Sequence, residues 1–184
     1  MKRCIRSALL LPLALLIQCG ERDLTLSIDL LSYVEPEFRS TVYGPVLPGM
    51  PTTVIGLIQA QINLLQGVDD ATQVKSTALR VGADFVNESG SATGSLAVFV
   101  APVDLFEPLS FTPVADIHLT LQPGHTTTVA ELIPSTPELM EVLTSDMAWF
   151  AVRITCNTEG STNVLWGTVT LTELTAILVT EADL

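Results

Sequence analysis

The chain has 184 residues, a length typical of one domain, with 8 Lys and Arg against 20 Asp and Glu, or a formal net charge of −12. This acidic balance argues against a nucleic-acid partner, because phosphate binding depends on clustered Lys and Arg. Hydrophobic residues make up 48% of the chain and charged residues only 15%, which excludes a disordered protein. Few residues are available for a zinc site or a histidine-based triad, since the chain has 3 Cys and 2 His.

Residues 1–18 are predicted to be an export signal. Lys2, Arg3 and Arg6 precede an apolar run from Ala8 to Ile17, which is the order of a basic segment and a short hydrophobic segment in signal peptides. A helix of this length rises about 15 Å, half the thickness of a hydrocarbon core of roughly 30 Å, so the run is too short to span a membrane. The alternative, a buried core helix, is disfavoured because the run has no polar face.

The sequence Leu16-Ile17-Gln18-Cys19 resembles the lipobox of bacterial lipoproteins. The resemblance implies that Cys19 receives a diacylglyceryl thioether and becomes the acylated first residue, with residues 19–23 as a lipidated tether. Gln18 stands where that family has Gly, Ala or Ser. Gly20 resembles the residue that sorts lipoproteins to the outer membrane. We therefore expect an envelope protein, held at the outer membrane by its N-terminal lipid and labelled by palmitate.

Residues after Cys19 hold all 20 acids against five bases, a formal net charge of −15. A domain this acidic is expected to be repelled by anionic lipid and lipopolysaccharide surfaces. Cys4 would leave with the signal and Cys19 would be lipidated, so Cys156 is predicted to be the lone thiol of the mature chain. No intramolecular disulfide would then form, even in an oxidising compartment.

Residues 24–184 are predicted to form a single domain in which most segments alternate apolar and polar residues, as strands do. Four prolines between Glu35 and Pro51 predict a loop or an irregular edge segment. The polar stretch Asn87–Ser95 predicts a flexible turn. Strands are predicted at about 24–30, 57–65, 79–85, 96–101, 115–121, 126–133, 148–156 and 165–179.

Three local signals refine this pattern. Pro123-Gly124 fits the middle of a type II turn. Thr136 can cap a short helix that begins at Pro137 and ends near Leu143. The apolar phase of the last strand slips at Glu173, which predicts a bulge or bend there.

These elements predict an all-β fold, a two-layer antiparallel β-sandwich of immunoglobulin-like or Greek-key type, with seven to nine strands and one short helix near 137–143. The immunoglobulin framework of Cys, Trp and Cys is missing, so only the architecture is implied. The order of the elements resembles the β-sandwich domains of uncharacterised bacterial surface lipoproteins. That resemblance implies no activity and no binding residues.

Two groups of residues are candidate metal ligands. His118 and His125 flank the Pro-Gly turn and could clip a metal, but two solvated surface histidines are the preferred interpretation. Calcium candidates are Asp69, Asp70, Asp84 and Glu88, because calcium takes 6–8 oxygen ligands and sandwich loops can supply them. We prefer to interpret these four as solvated turn acids, and therefore expect no metal and no cofactor.

The remaining candidates are a thiol and two indoles. Cys156 is predicted to lie on the same inward face of its strand as Phe150, so its thiol is expected to be buried. A nucleophilic cysteine would instead need a nearby His and an electropositive setting. Trp149 and Trp166 could form an outward aromatic pair that stacks on a glycan, but packing in the interior is the preferred interpretation.

These features predict a non-catalytic binding or structural module, not an enzyme. Its expected partners are the membrane, through the N-terminal lipid, and an envelope protein or glycan that the sequence does not identify. The alternative is an envelope hydrolase, or a calcium-dependent adhesion module, with a site that shows no recognisable motif.

Overall fold

A computed structural model describes residues 23–51, 53–63, 74–101, 112–145 and 147–181. The predictions made for the export signal, for Cys19 and for Asp69 and Asp70 lie outside these residues. One α-helix, α1 (Pro137–Leu143), and two 3-10 turns (Leu30–Tyr33 and Pro36–Phe38) accompany nine strands in the described part of the chain. The strands are β1 (Asp23–Asp29), β2 (Ser40–Val46), β3 (Thr53–Asn63), β4 (Val74–Ser89), β5 (Ala92–Ala101), β6 (Ala115–Leu121), β7 (His125–Ile133), β8 (Met147–Asn157) and β9 (Leu165–Glu181).

The strands form two antiparallel sheets, which confirms the predicted all-β sandwich. The first sheet, sheet A, has the order β1-β9-β4-β7, and β2 pairs with β9 on the same side as β1. The second, sheet B, has the order β3-β8-β5-β6. The 17-residue β9 accommodates both edge partners because β2 pairs with its first half and β1 with its last seven residues.

The strand pairs are nested around the connection between β5 and β6, as in a long antiparallel hairpin folded into two sheets. β5 pairs with β6, β4 with β7, β3 with β8 and β2 with β9, so each pair encloses the previous one along the chain. This nesting is the jelly-roll arrangement of two Greek keys. Of the two topologies expected from the sequence, the strand order is therefore the Greek-key one.

The inner faces of the two sheets form the core, as the alternating apolar residues predict. Burying one large apolar side chain stabilises the fold by about 1.5–3 kcal/mol. The phase slip predicted near Glu173 is confirmed: Gly82 pairs with Glu173 and Ala83 with Leu171, leaving Thr172 as an extra residue. Large, fully buried members of the core include Leu30, Tyr43, Leu79, Phe85, Leu96, Leu121, Leu139, Leu143 and Ile154.

Helix α1 has the predicted bounds. The Thr136 hydroxyl accepts a hydrogen bond from the Leu139 N–H at 3.1 Å, and Pro137 occupies the first turn. A threonine cap satisfies one of the backbone donors that the start of a helix leaves without a partner. Leu139, Val142 and Leu143 are buried, so the helix closes one end of the core.

The proline-rich segment between Glu35 and Pro51 was predicted to be a loop or an irregular edge segment, and it contains the irregular edge strand β2, in which the Gly44–Pro45 bond is cis. Proline is tolerated there because β2 lies at an edge of sheet A and pairs only with β9, so the missing N–H breaks no inner ladder. The polar stretch Asn87–Ser95 is not a flexible turn: β4 continues to Ser89 and β5 begins at Ala92.

The sandwich has two distinct ends. One end, called the tip here, gathers the loops 47–51, 90–91, 122–124 and 158–164. Backbone hydrogen bonds join these loops to one another and to the strand ends, from Gly49 to Thr158 at 3.0 Å and from Gly124 to Asn87 at 2.8 Å. The other end, called the base, holds Asp23, which pairs with Glu181 at the end of β9.

Candidate functional site

An exposed apolar patch lies on the outer face of sheet A, next to the tip. Val42 on β2 and Val86 on β4 both pair with Thr168 on β9, so the two valines flank Thr168 at about 4.8 Å on either side. Trp166 is two residues from Thr168 on the same strand, roughly 7 Å away on the same face. Val42 is 66% exposed, Val86 45% and Trp166 44%. We call these four residues the tip patch.

Two carboxylates border the tip patch on β4. Asp84 and Glu88 lie two residues before and two residues after Val86, on the outer side of the sheet. Asp84 accepts a hydrogen bond from the Thr128 hydroxyl at 2.7 Å, which fixes its orientation. Glu88 is exposed in a bulge, where the pairing with β9 shifts between Asn87 and Ser89. The surface around Val86 therefore combines apolar area with negative charge.

A buried polar network supports the patch from below. Tyr43 on β2 and Asn87 on β4 both pair with Gly167 of β9, which lies between them. The Tyr43 hydroxyl donates to the Asn87 side-chain oxygen at 3.3 Å, and the Asn87 amide donates to the Gly90 carbonyl at 2.8 Å. A β-carbon on Gly167 would lie 2.2 Å from the Val86 carbonyl oxygen and 2.5 Å from the Tyr43 hydroxyl. Only glycine at position 167 leaves room for the Tyr43 side chain to pass over β9 and reach Asn87.

Burial raises the pKa of Tyr43 from 10.0 to about 12, and the charges of Cys156 and Glu88 act in the same direction. The phenol is therefore protonated throughout the physiological range. It acts as a hydrogen-bond donor to Asn87 and not as a base.

A second surface feature, a hydroxyl-rich groove, lies on the outer face of sheet B near the tip. It has a volume of about 590 Å³ and crosses β8, β5 and β6. The Ser95 and Thr155 hydroxyls are hydrogen-bonded to each other across it at 3.0 Å. Its polar lining consists of Thr93, Ser95, His118, Thr120, Thr155 and Asn157.

The two histidines do not come together. His118 lies on β6 in sheet B, whereas His125 begins β7 in sheet A, because the Pro123-Gly124 turn joins the two sheets. The turn itself is as predicted: Gly124 has φ +73° and the His125 N–H bonds to the Gln122 carbonyl at 3.2 Å. His125 bonds through Nδ1 to the Pro123 carbonyl oxygen at 3.0 Å.

Two of the four acidic candidates, Asp84 and Glu88, lie on the outer side of one strand, β4, with Val86 between them. Asp69 and Asp70 fall outside the described residues. Within residues 23–51, 53–63, 74–101, 112–145 and 147–181, no three His, Cys, Asp or Glu residues gather as a metal site.

Cys156 is buried, as its phase predicts, with 1% of its surface exposed. Burial raises the pKa of the Cys156 thiol, which lowers the fraction of reactive thiolate. A nucleophilic cysteine needs the opposite shift.

The two tryptophans lie on different sheets and form no pair. Trp149 on β8 is partly buried against a small cluster of Phe99, Ala97, Ala101 and Ala151, so it packs as predicted, but on the outer face of sheet B and not in the main core. Trp166 is exposed, so the packing prediction is wrong for this residue. The alternation of β9 indicates this orientation: Gly167 and Val169 face the core, so Trp166 points outward. The same rule identifies Val86 beside the buried Phe85.

No family model and no curated protein sequence matches the chain. Among solved structures, the structure of infectious bursal disease virus Gx strain is similar, with 14% sequence identity and a TM-score of 0.31. The match covers 88% of this chain but only 37% of that chain, so this chain spans little more than a third of its length. Within the described residues, no helix has the length and apolar character to cross a membrane.

Proposed function

We propose that this protein is a lipid-anchored, non-catalytic β-sandwich of the bacterial cell envelope that acts as a binding module. The observation that carries the proposal is the course of β9 between the two ends of the domain. Asp23, four residues after Cys19, pairs with Glu181 at the base, whereas Trp166 lies at the opposite end of the same strand. A 17-residue strand spans on the order of 50 Å. A lipid on Cys19 would thus hold the base at the membrane and leave the tip patch far from it.

An ion pair at the base supports this orientation. Lys75 Nζ on β4 lies 2.6 Å from Asp23 and 3.6 Å from Glu181, so it joins the start of β1 and the end of β9. In the sequence, only residues 20–22 lie between Cys19 and Asp23, which takes part in these ion pairs. A tether this short would keep the sandwich close to the lipid surface.

Two observations favour a binding role over chemistry. The Cys156 thiol is buried on the inner face of sheet B with a raised pKa, whereas His118, on the same sheet, is exposed on its outer face. A nucleophile with an activating base requires the two side chains within hydrogen-bond reach. A glycan is the second candidate partner, favoured by the hydroxyl-rich groove, but Trp149 lies about 20 Å along β8 from Thr155 and packs against its neighbours.

Incorporation of labelled palmitate in a bacterial host tests the anchor. Wild type and Cys4→Ala should be labelled equally, because Cys4 belongs to the predicted signal. Cys19→Ala should lose the label and leave the membrane fraction. Equal labelling of wild type and Cys19→Ala, or no labelling of either, contradicts the anchor. Outer-membrane residence predicts that the labelled protein sediments with outer-membrane markers; sedimentation with the inner membrane contradicts that location.

A further inference from the structure

We infer that the tip patch is a docking surface for a basic segment of a partner protein, in which Lys or Arg alternates with apolar side chains. This inference rests on the proposed binding function but does not require the lipid anchor. It concerns the chemistry of the partner.

The first step is the contiguity of the apolar area. Single exposed apolar residues are common on protein surfaces, whereas contiguous ones mark interaction sites. Val42, Val86 and Trp166 are all within about 7 Å of Thr168 on one face. Leu47, in the tip loop that follows β2, is a further exposed apolar residue, with 63% of its surface accessible. Trp is among the residues most enriched in interface hot spots.

The second step is charge. Asp84 and Glu88 border the patch, and the four Lys and Arg of the described residues are all directed elsewhere. Arg39 donates through Nε to the Val34 carbonyl at 2.8 Å, and Lys75 is engaged at the base. Arg153 lies on sheet B, 4.8 Å from the centre of the Phe99 ring. Arg80 is six residues from Val86 on β4, or roughly 20 Å along the strand.

This arrangement selects a cationic occupant. A Lys or Arg placed over Trp166 would gain a cation–π interaction and lie near Glu88. A second basic side chain of the same segment would pair with Asp84, which lies opposite Thr170, four residues along β9 from Trp166. A second copy of this chain is disfavoured, because its own surface is acidic and like charges oppose association. Anionic membrane surfaces and nucleic acids are disfavoured for the same reason.

The third step is rigidity. The strands that carry Val42, Val86 and Trp166 are joined beneath the patch by the hydrogen bond between Tyr43 and Asn87 across Gly167. On the outer face, the Thr128–Asp84 bond holds one of the two carboxylates. A surface that is ordered before binding loses less conformational entropy when a partner docks.

The test measures binding of three fluorescent nonapeptides to the purified full chain in zwitterionic detergent, with empty micelles as the blank. The peptides alternate Val and Trp with Lys, Ser or Glu. Fluorescence anisotropy should show the Lys peptide binding at least about ten-fold more tightly than the Ser peptide, and the Glu peptide more weakly than both. Raising the salt to about 0.5 M should weaken binding of the Lys peptide selectively.

Variants assign the binding to the patch. Trp166→Ser should weaken binding of the Lys and Ser peptides at least about ten-fold, and the double variant Asp84→Asn, Glu88→Gln should weaken only the Lys peptide, at least about five-fold. The double variant Glu131→Gln, Glu173→Gln, which also removes two negative charges but elsewhere on sheet A, should have no effect. Equal affinity for all three peptides, unchanged binding by the patch variants, or binding of none of the peptides overturns the inference.

The two proposals fail separately. If the wild-type protein takes up no palmitate but still binds the Lys peptide, the lipid anchor is contradicted and the docking surface stands. If the wild-type protein is labelled at Cys19 but binds none of the peptides, the docking surface is contradicted and the anchor stands.

Discussion

Tyr43 and Asn87 lie on strands that are not neighbours, yet the Tyr43 hydroxyl donates a hydrogen bond to the Asn87 side chain at 3.3 Å. The strand between them, β9, contributes Gly167 at the crossing, so no side chain blocks the path. Asn87 in turn bonds the Gly90 carbonyl and thereby shapes the connection from β4 to β5. One tyrosine thus links an edge strand, two inner strands and a tip loop.

Gly167→Ala should destabilise the fold by about 1–3 kcal/mol, the usual cost of overpacking. The new methyl group would meet the Val86 carbonyl and the Tyr43 hydroxyl, and both are held in place. Chemical denaturation measures the loss, with Thr168→Ala at the neighbouring, partly buried position as the control. A loss for Gly167→Ala no larger than that for the control would show that the crossing is not tightly packed.

Tyr43→Phe should cost about 1–2 kcal/mol at neutral pH, because Asn87 loses a buried donor. The variant should also change the alkaline stability profile. The native pKa of Tyr43, about 12, exceeds the usual 10.0, so the unfolded state releases this proton first. The stabilisation is complete below pH 10 and is lost as the pH rises through 12. The decline between pH 10 and 12 should therefore be steeper in wild type than in Tyr43→Phe. Equal slopes would contradict a buried phenol.

Cys156 should react slowly with thiol reagents in the native protein and rapidly in denaturant. Its side chain is buried and its pKa is raised, so both access and thiolate fraction are low. The measurement is the alkylation rate of the Cys4→Ala, Cys19→Ala variant, in which Cys156 is the remaining thiol. Rapid alkylation of the native protein would contradict the inward orientation of this part of β8.

Stability should not depend on divalent metals. The core is apolar, and Asp84 is bonded to Thr128 on the open face of a sheet. The unfolding temperature should agree within about 1–2 °C in excess calcium, excess zinc or EDTA. An increase of about 5 °C or more with one cation would indicate selective binding to the native state. Variants of Asp69, Asp70, Asp84 and Glu88 would then locate the site and favour the calcium-dependent alternative.

Local patterns in the sequence predicted much of the fold. Alternation located most strands, Thr136 and Pro137 located the helix, and the slip at Glu173 matches the extra residue Thr172 in β9. The prolines of β2 left a loop and an irregular edge segment both open, because an edge strand has no second neighbour that needs its N–H groups.

The candidate site could be predicted only in part. Val42, Val86 and Trp166 come from three strands, and their proximity depends on the register of β9 against β2 and β4. Alternation fixes which face a residue occupies, but not which distant strand lies beside it. The outward phase of Trp166 was visible beside Gly167 and Val169. Alternation could not predict that Trp166 is exposed, because it does not show whether another part of the chain packs on the outer face of sheet A.

The intact mass of the protein extracted from bacterial membranes tests the anchor most directly. The account predicts a mature chain that begins at Cys19 and carries a diacylglyceryl group on its sulfur. Cys19→Ala should show neither the modification nor cleavage at this position, while Cys4→Ala should match wild type after the signal is removed. A mature wild-type chain that begins elsewhere, or that begins at Cys19 without lipid, would contradict the account.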